Sequence, residues 1–303
     1  MSSVIRLGTR GSPLALTQAG LVQRALEAAH PGLSVEIVSI RTTGDRVQDR
    51  ALAEIGGKAL WTKELDRALL AGEIDCAVHS MKDVETVRPA GIAIAAMLPR
   101  ADVRDRLVGA TSFEALPPGA RIGTSSPRRA AQVRSLRPDL QPVLFRGNVD
   151  TRLAKLAAGE ADATLLAAAG LERLGRMDVG VAVATSEMPP APAQGAVGIE
   201  CRADDDLTRT RLAKIDHPKT HACVLAERAL LAALVADCHS PVAALAQIEG
   251  AVLTLAATLY SEDGAHQVSA QESGAPNDPA VSRVLAEKLL ALAPDPVRVL
   301  FAG

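Results

Sequence analysis

The sequence predicts an α/β protein: two similar α/β domains around a cleft, then a smaller α+β domain with an antiparallel sheet. Three observations carry this. The chain opens with a β-α-β pattern, two short devices recur about a hundred residues apart, and the last third alternates strands around turns.

In the first domain Val4–Leu7 reads as a strand, Leu14 to Ala29 as an amphipathic helix, and Val35–Ile40 as an alternating strand. Ser12 is placed as N-cap and Pro13 as the first helical residue, and His30-Pro31-Gly32 ends the helix. The stretch 41–58 is polar, glycine-bearing and weakly periodic, so it reads as a long loop acting as a lid. A strand over Ile74–Val78 then runs into His79-Ser80-Met81-Lys82-Asp83.

The second domain repeats the opening. Arg121-Ile122-Gly123 ends a strand, Ser126 is the N-cap, Pro127 is the first helical residue, and the helix runs to Leu136. Both turns carry Gly-Thr followed shortly by Ser-Pro. Ala71-Gly72-Glu73-Ile74-Asp75 likewise matches Ala158-Gly159-Glu160-Ala161-Asp162, each leading from a helix into an apolar strand. Beyond the proline-rich crossing at 189–192, Ala196–Cys201 is strand-like and a helix follows His217-Pro218 through Ala236. Strands at Pro241–Ile248, Val252–Leu259 and Gln267–Gln271 come next, and the helix Pro279–Leu292 closes the chain. The division expected is 1–97 with 194–213, then 98–193, then 214–303.

Composition removes several function classes. With 303 residues, 48% hydrophobic, the chain can fill two or three cores. Aromatics are 2% and the net charge is −2, which argues against a single-strand nucleic-acid platform or a general polyanion binder. The start MSSVIRLGTRGS has no apolar signal core, and no apolar run reaches membrane-spanning length, so a cytoplasmic protein without a membrane partner is expected. No P-loop, Gly-x-Ser-x-Gly elbow or Gly-x-Gly-x-x-Gly fingerprint occurs. His217, His221, His239, Cys223 and Cys238 match no zinc spacing, so no metal is expected.

The chemistry gathers at cationic turns. Of 33 basic residues 26 are Arg, a guanidinium excess suited to bidentate capture of carboxylate or phosphate. Arg128 and Arg129 lie in a first helical turn, where the macrodipole disfavours cations unless an anion sits between them. Thr124, Ser125 and Ser126 add hydroxyls and the helix start adds backbone N–H groups, a trap for carboxylate or phosphate alike. Arg10 with Ser12, and Arg146 with Arg152, form further basic turns. Asp83, at the end of a strand, is the best acid/base candidate. Cys76, Cys201 and Cys223 fall in apolar elements, whereas Cys238 sits in a loop that presents its thiol.

Together the segments GTRGSPLAL (8–16), IGGKALWTKEL (55–65), DCAVHSMKDV (75–84), IGTSSPRRAAQ (122–132), LFRGNVDTRLAKL (144–156), AAAGLERLG (167–175) and QGAVGIECR (194–202) resemble the porphobilinogen deaminase family. The resemblance implies an enzyme, also called hydroxymethylbilane synthase, on two periplasmic-binding-protein-like domains plus a third. It would condense four porphobilinogen molecules head to tail, releasing ammonia, to give a linear tetrapyrrole for haem-type biosynthesis. Its cofactor would be a dipyrromethane primer held by a thioether to Cys238.

By the same resemblance Arg10, Ser12, Arg146 and Arg152 hold the substrate and Arg173 helps the growing chain. Lys82, Asp83, Thr124, Ser125, Ser126, Arg128 and Arg129 hold the cofactor. Asp83 offsets the cation left when ammonia departs and moves protons. Lys58 and Trp61 match the family's active-site loop, with Trp in place of Phe. Other positions also depart from the pattern: Glu85 replaces a common Pro, Asp237-Cys238-His239 replaces Gly-Cys-polar, and Ala244 replaces Gly. A monomer is expected, its one partner the small-molecule substrate. The competing reading is a solute-binding module of two α/β lobes, which leaves Cys238 unexplained.

Overall fold

The computed structural model describes residues 3–40 and 62–301. The lid expected at 41–58, with Lys58 and Trp61, lies outside the described residues. The chain divides into two compact units, Met1–Ala101 with Gly195–His221, and Asp102–Gln194 with Ala222–Gly303.

The chain begins β1 (Ser3–Arg10), α1 (Pro13–Ala29), β2 (Leu33–Ile40), α2 (Lys63–Leu70), β3 (Cys76–Ser80), a 3-10 turn (Met81–Asp83) and β4 (Ile92–Met97). It continues with β5 (Asp105–Val108), β6 (Arg121–Thr124), α3 (Pro127–Leu136), β7 (Gln141–Leu144), α4 (Val149–Ala157), β8 (Ala163–Ala167), α5 (Ala168–Arg173) and β9 (Val181–Ala182). Then come β10 (Val197–Arg202), α6 (Asp206–Leu212), α7 (Pro218–Ala233), β11 (Val242–Glu249), β12 (Val252–Tyr260), β13 (Gln267–Gly274), α8 (Pro279–Leu292) and α9 (Asp295–Arg298).

The first unit holds a five-stranded sheet in the order β2-β1-β3-β10-β4, and the second holds one in the order β7-β6-β8-β5-β9. In each, three parallel strands are followed by an antiparallel fourth, β10 against β3 or β5 against β8. The two α/β halves therefore share one topology. A separate antiparallel sheet, β11-β12-β13, follows, as expected.

The sequence echoes have matching geometry. Ser12 Oγ accepts from Ala15 N and Ser126 Oγ from Arg129 N, so both Ser-Pro pairs start helices as N-cap and first residue. At the other echo Gly72 and Gly159 have φ of 69° and 72°, which glycine adopts without Cβ strain. Glu73 N then donates to Ala68 O and Glu160 N to Lys155 O, closing both helices the same way. Asp75 accepts from Arg6 N at 2.8 Å and Asp162 from Arg121 N at 2.7 Å, tying each third strand to the first.

Apolar side chains fill both faces of the first sheet. Leu7, Val22, Leu26, Cys76 and Ile199 pack with α1, and Leu65, Leu69, Ile74 and Ala77 pack with α2. Each such leucine contributes roughly 2 kcal/mol by leaving water. Leu107, Ile122, Val133, Leu165 and Met188 form the second α/β core, and Leu230, Leu255, Leu259, Leu285 and Leu289 form a third under the C-terminal sheet. Cys76, Cys201 and Cys223 are buried and Cys238 is exposed. Burial pushes the Cys76 thiol up and that of Cys201 to about 11, so both stay protonated at neutral pH.

Candidate active site

In the first unit Arg10, Ser12, Gln18, Thr62, His79, Ser80 and Asp83 line a recess with apolar neighbours Leu14, Ala15, Val78 and Val84. Local folding places them. Arg10 ends β1 and Ser12 caps α1, so both stand at the carboxyl edge of the sheet, where ligands of open α/β sheets bind. β3 runs two residues beyond its expected end at Val78, so His79 and Ser80 are strand residues and only Met81–Asp83 form the turn. The extension arises because β10 pairs along the whole of β3, with Gly198 opposite His79 and Val197 opposite Ser80. Lys82 shares the turn with Asp83 but is not among the lining residues.

Gln18, 2% exposed, donates to Ser80 Oγ at 2.8 Å. Beside the recess, His79 Nε2 stands 3.1 Å from Glu200, which is completely buried and accepts from Arg88 Nε at 2.7 Å. Burial alone would raise the Glu200 carboxyl, yet His79 and Arg88 hold it at about 2.

In the second unit Arg128 and Arg129 are buried, and the anion between them is a side chain. Asp105 Oδ2 accepts from Arg128 Nη2 at 2.8 Å and Oδ1 from Arg129 Nη2 at 2.7 Å, while Gln194 Nε2 also donates to Oδ1. Arg128 Nη1 further donates to Gln132 Oε1 and Pro189 O, and Arg129 Nη1 to Leu165 O. One carboxylate against two guanidinium groups leaves one positive charge over. The Nε atoms of both arginines are buried without a hydrogen-bond partner among the described residues.

The second basic turn lies against this one. Gly123 has no room for a Cβ because the Phe145 ring occupies that space, and Phe145 N donates to Thr124 O. Arg152 Nη2 donates to Ser125 Oγ at 3.0 Å and its Nε to Gly147 O, so the two turns are hydrogen-bonded together. Thr124 Oγ1 accepts from Ser126 N. Arg146 is 9% exposed, and its Nη1 is buried without a hydrogen-bond partner among the described residues. Arg173 closes α5, half-buried, and burial lowers its guanidinium below the ordinary value.

Cys238 lies between α7 and β11 in the same unit. Asp237 Oδ1 accepts from His239 N at 2.8 Å and Asp237 N donates to Ser240 Oγ, so the acidic residue shapes the loop. Ala244 is fully buried and its N donates to Pro190 O, so a methyl group is accommodated there. Glu227 accepts from Ala193 N and from Ala246 N, fastening β11 to the 189–194 segment. Tyr260 packs with Ala131 and Ala243, and its Oη accepts from Gln132. The C-terminal sheet thus rests on α3, the helix carrying Arg128 and Arg129.

Sequence reasoning missed Asp105, Gln18, Thr62 and Glu200. Gln18 had a legible signal: it shares the buried face of α1 with Ala19, Val22 and Leu26, an apolar stripe interrupted by an amide.

Comparison with known proteins bears on the whole chain. Residues 5–210 match the model of porphobilinogen deaminase, dipyromethane cofactor binding domain, and residues 221–291 match that of porphobilinogen deaminase, C-terminal domain. A porphobilinogen deaminase of Sphingopyxis alaskensis is 61% identical over 98% of this chain and 96% of its own length. One of Paracoccus denitrificans is 51% identical over 96% and 95%. Among solved structures, the Bordetella pertussis BvgS periplasmic VFT2 domain is 16% identical, covering 70% of this chain and 86% of its own, with a TM-score of 0.40.

Proposed function

This chain belongs to the porphobilinogen deaminase family, and from that premise we propose which of its residues perform the family's reaction. The activity is that of a deaminating transferase of tetrapyrrole synthesis with a dipyrromethane cofactor. The observation that carries the residue assignment is the recess where Arg10, Ser12 and Asp83 converge.

Each porphobilinogen ring carries an acetate and a propionate, so two carboxylates need cationic or hydroxyl partners. Arg10 and Ser12 offer these in the first unit, and Arg146, Arg152 and Arg173 in the second. Loss of ammonia leaves positive charge on the pyrrole. The Asp83 carboxylate offsets that charge, then takes the proton released when a new carbon–carbon bond is made and the attacking ring regains aromaticity.

The donor set also suits the cofactor. Cys238 supplies an exposed thiol for the thioether, and carboxylate side arms suit the surplus charge and unpartnered Nε atoms of Arg128 and Arg129. Lys82, Asp83, Thr124, Ser125 and Ser126 complete the proposed holding set. When bound, the cofactor supplies the pyrrole carbon from which the product grows. Arg128 and Arg129 would hold those arms with little rearrangement, because Asp105 already fixes both guanidinium groups.

We take porphobilinogen to be the small-molecule substrate and the working form to be a cytoplasmic monomer without nucleic-acid or membrane partners. The low net charge and scarce aromatics support this, and no described helix is long and apolar enough to cross a membrane. The division into 1–97 with 194–213, 98–193 and 214–303 is supported at its C-terminal end by a separate sheet and core.

Two measurements test the assignment. Intact mass should exceed the chain mass by two pyrrole units and return to it in Cys238→Ser; an active, unmodified protein overturns the cofactor assignment. In single-turnover assays Asp83→Ala should bind porphobilinogen but extend it at least a hundredfold more slowly, and normal elongation removes Asp83 from the mechanism.

A further inference from the structure

Arg88 stands at the centre of a buried charge cluster in the first unit. Its side chain is 8% exposed. Nε donates to Glu200 Oε1 at 2.7 Å, Nη2 to Glu200 Oε2 at 2.9 Å and to Asp66 Oδ1 at 2.5 Å, and Nη1 to Glu85 Oε2 at 2.5 Å. Glu85 Oε2 also accepts from Thr62 Oγ1 at 2.7 Å. Charged hydrogen bonds of this kind, made by a planar fork, fix direction as well as distance.

The partners bracket the turn that bears Asp83. Four residues before it, His79 Nε2 lies 3.1 Å from Glu200 Oε2 as an ion-pair contact; two residues after it, Glu85 is held by Arg88 and Thr62. Since Arg88 also grips Glu200, one guanidinium secures both sides of a seven-residue segment. His79, Thr62 and Asp83 all line the recess, so the clamp adjoins the reacting groups without occupying their place.

We propose that Glu85 and Arg88 are positioning residues that set where the Asp83 carboxylate sits in the recess. This rests on the reading of Asp83 as the catalytic carboxylate. The charge balance separates positioning from stability. Three carboxylates, Asp66, Glu85 and Glu200, face one guanidinium and one imidazole, and Asp66 is pushed up chiefly by its burial. Removing Glu85 relieves an excess of negative charge and leaves Arg88 paired with Glu200 and Asp66. Removing Arg88 instead strands buried carboxylates, so that variant is unsuited to the test.

The experiment compares Glu85→Ala and Glu85→Gln in the cofactor-loaded enzyme. In Glu85→Ala we expect a melting temperature within about 2 °C of the parent, a KM within about twofold and a kcat lowered roughly tenfold to a hundredfold, as a misplaced carboxylate produces. Glu85→Gln keeps an acceptor for Arg88 and Thr62 and should recover most of the rate. In an Asp83→Glu background, where the carboxylate is already displaced, Glu85→Ala should cost little more. A folded Glu85→Ala enzyme with the parent's kcat overturns the proposal, as does a loss of rate that tracks a loss of melting temperature or persists at full size beside Asp83→Glu. Normal elongation by Asp83→Ala is a different failure, because it defeats the reading beneath.

Discussion

Asp105 has no exposed surface, yet its carboxyl lies well below the usual range: burial acts to raise it, and the charges of Arg129 and Arg128 outweigh burial. A carboxylate depressed in the folded state stabilises fully above its unfolded value near 3.8 and loses that contribution as pH falls further. Glu200 behaves alike between its ordinary 4.5 and about 2, worth about 3 kcal/mol. Stability should therefore hold from neutrality to about pH 4.5 and fall steeply below it. Asp105→Asn should cost about 3–5 kcal/mol at pH 7 by leaving two buried guanidinium groups facing each other. It should also flatten the acid limb, both effects being measurable by denaturant unfolding across pH; a variant with an unchanged acid limb would refute this. The helix dipole made an anion beside Arg128 and Arg129 predictable, but not its identity. Asp105 is 24 residues from Arg129 and meets it only because β5 pairs beside β8.

Helix ends show which local signals were readable. Ser-Pro pairs announce the starts of α1 and α3, since a hydroxyl acceptor and a fixed φ are local chemistry. The end of α7 was not announced. A helix through Ala236 was expected, but it stops at Ala233 and the chain turns at Val235 with φ 53°, sealed by Ala236 N donating to Leu231 O. A left-handed position normally signals itself with glycine, and here a β-branched residue takes it, 75% exposed. Val235→Gly should therefore stabilise the second unit by about 1 kcal/mol, raising its melting temperature by about 2 °C in calorimetry. A lowered melting temperature would show that the valine methyls hold the Cys238 loop through contacts worth more than the strain.

At the scale of the molecule, the repeated Ala-Gly-Glu-x-Asp segments were a trustworthy sign of two like halves, because each glycine and aspartate performs the same backbone task in both. Pairing across a long insertion is beyond such local signals. β10 lies between β3 and β4 in the first sheet, although the second α/β sheet is formed by residues that intervene in the chain. This strand carries Glu200 and pairs antiparallel with both neighbours, its register against β4 shifting between Ile199 and Glu200. During synthesis, then, the amino-terminal half leaves the ribosome first but cannot close its sheet until residue 202 has emerged, by which time β5 to β9 are all available. The later half should be first to become native. Pulsed hydrogen exchange on refolding protein should protect β6 and β8 amides before those of β3 and β4, and simultaneous or reversed protection would refute that order. The carboxylate that pairs with Arg88 and His79 is thus delivered last, so the turn bearing Asp83 is assembled only in a chain whose second half already exists.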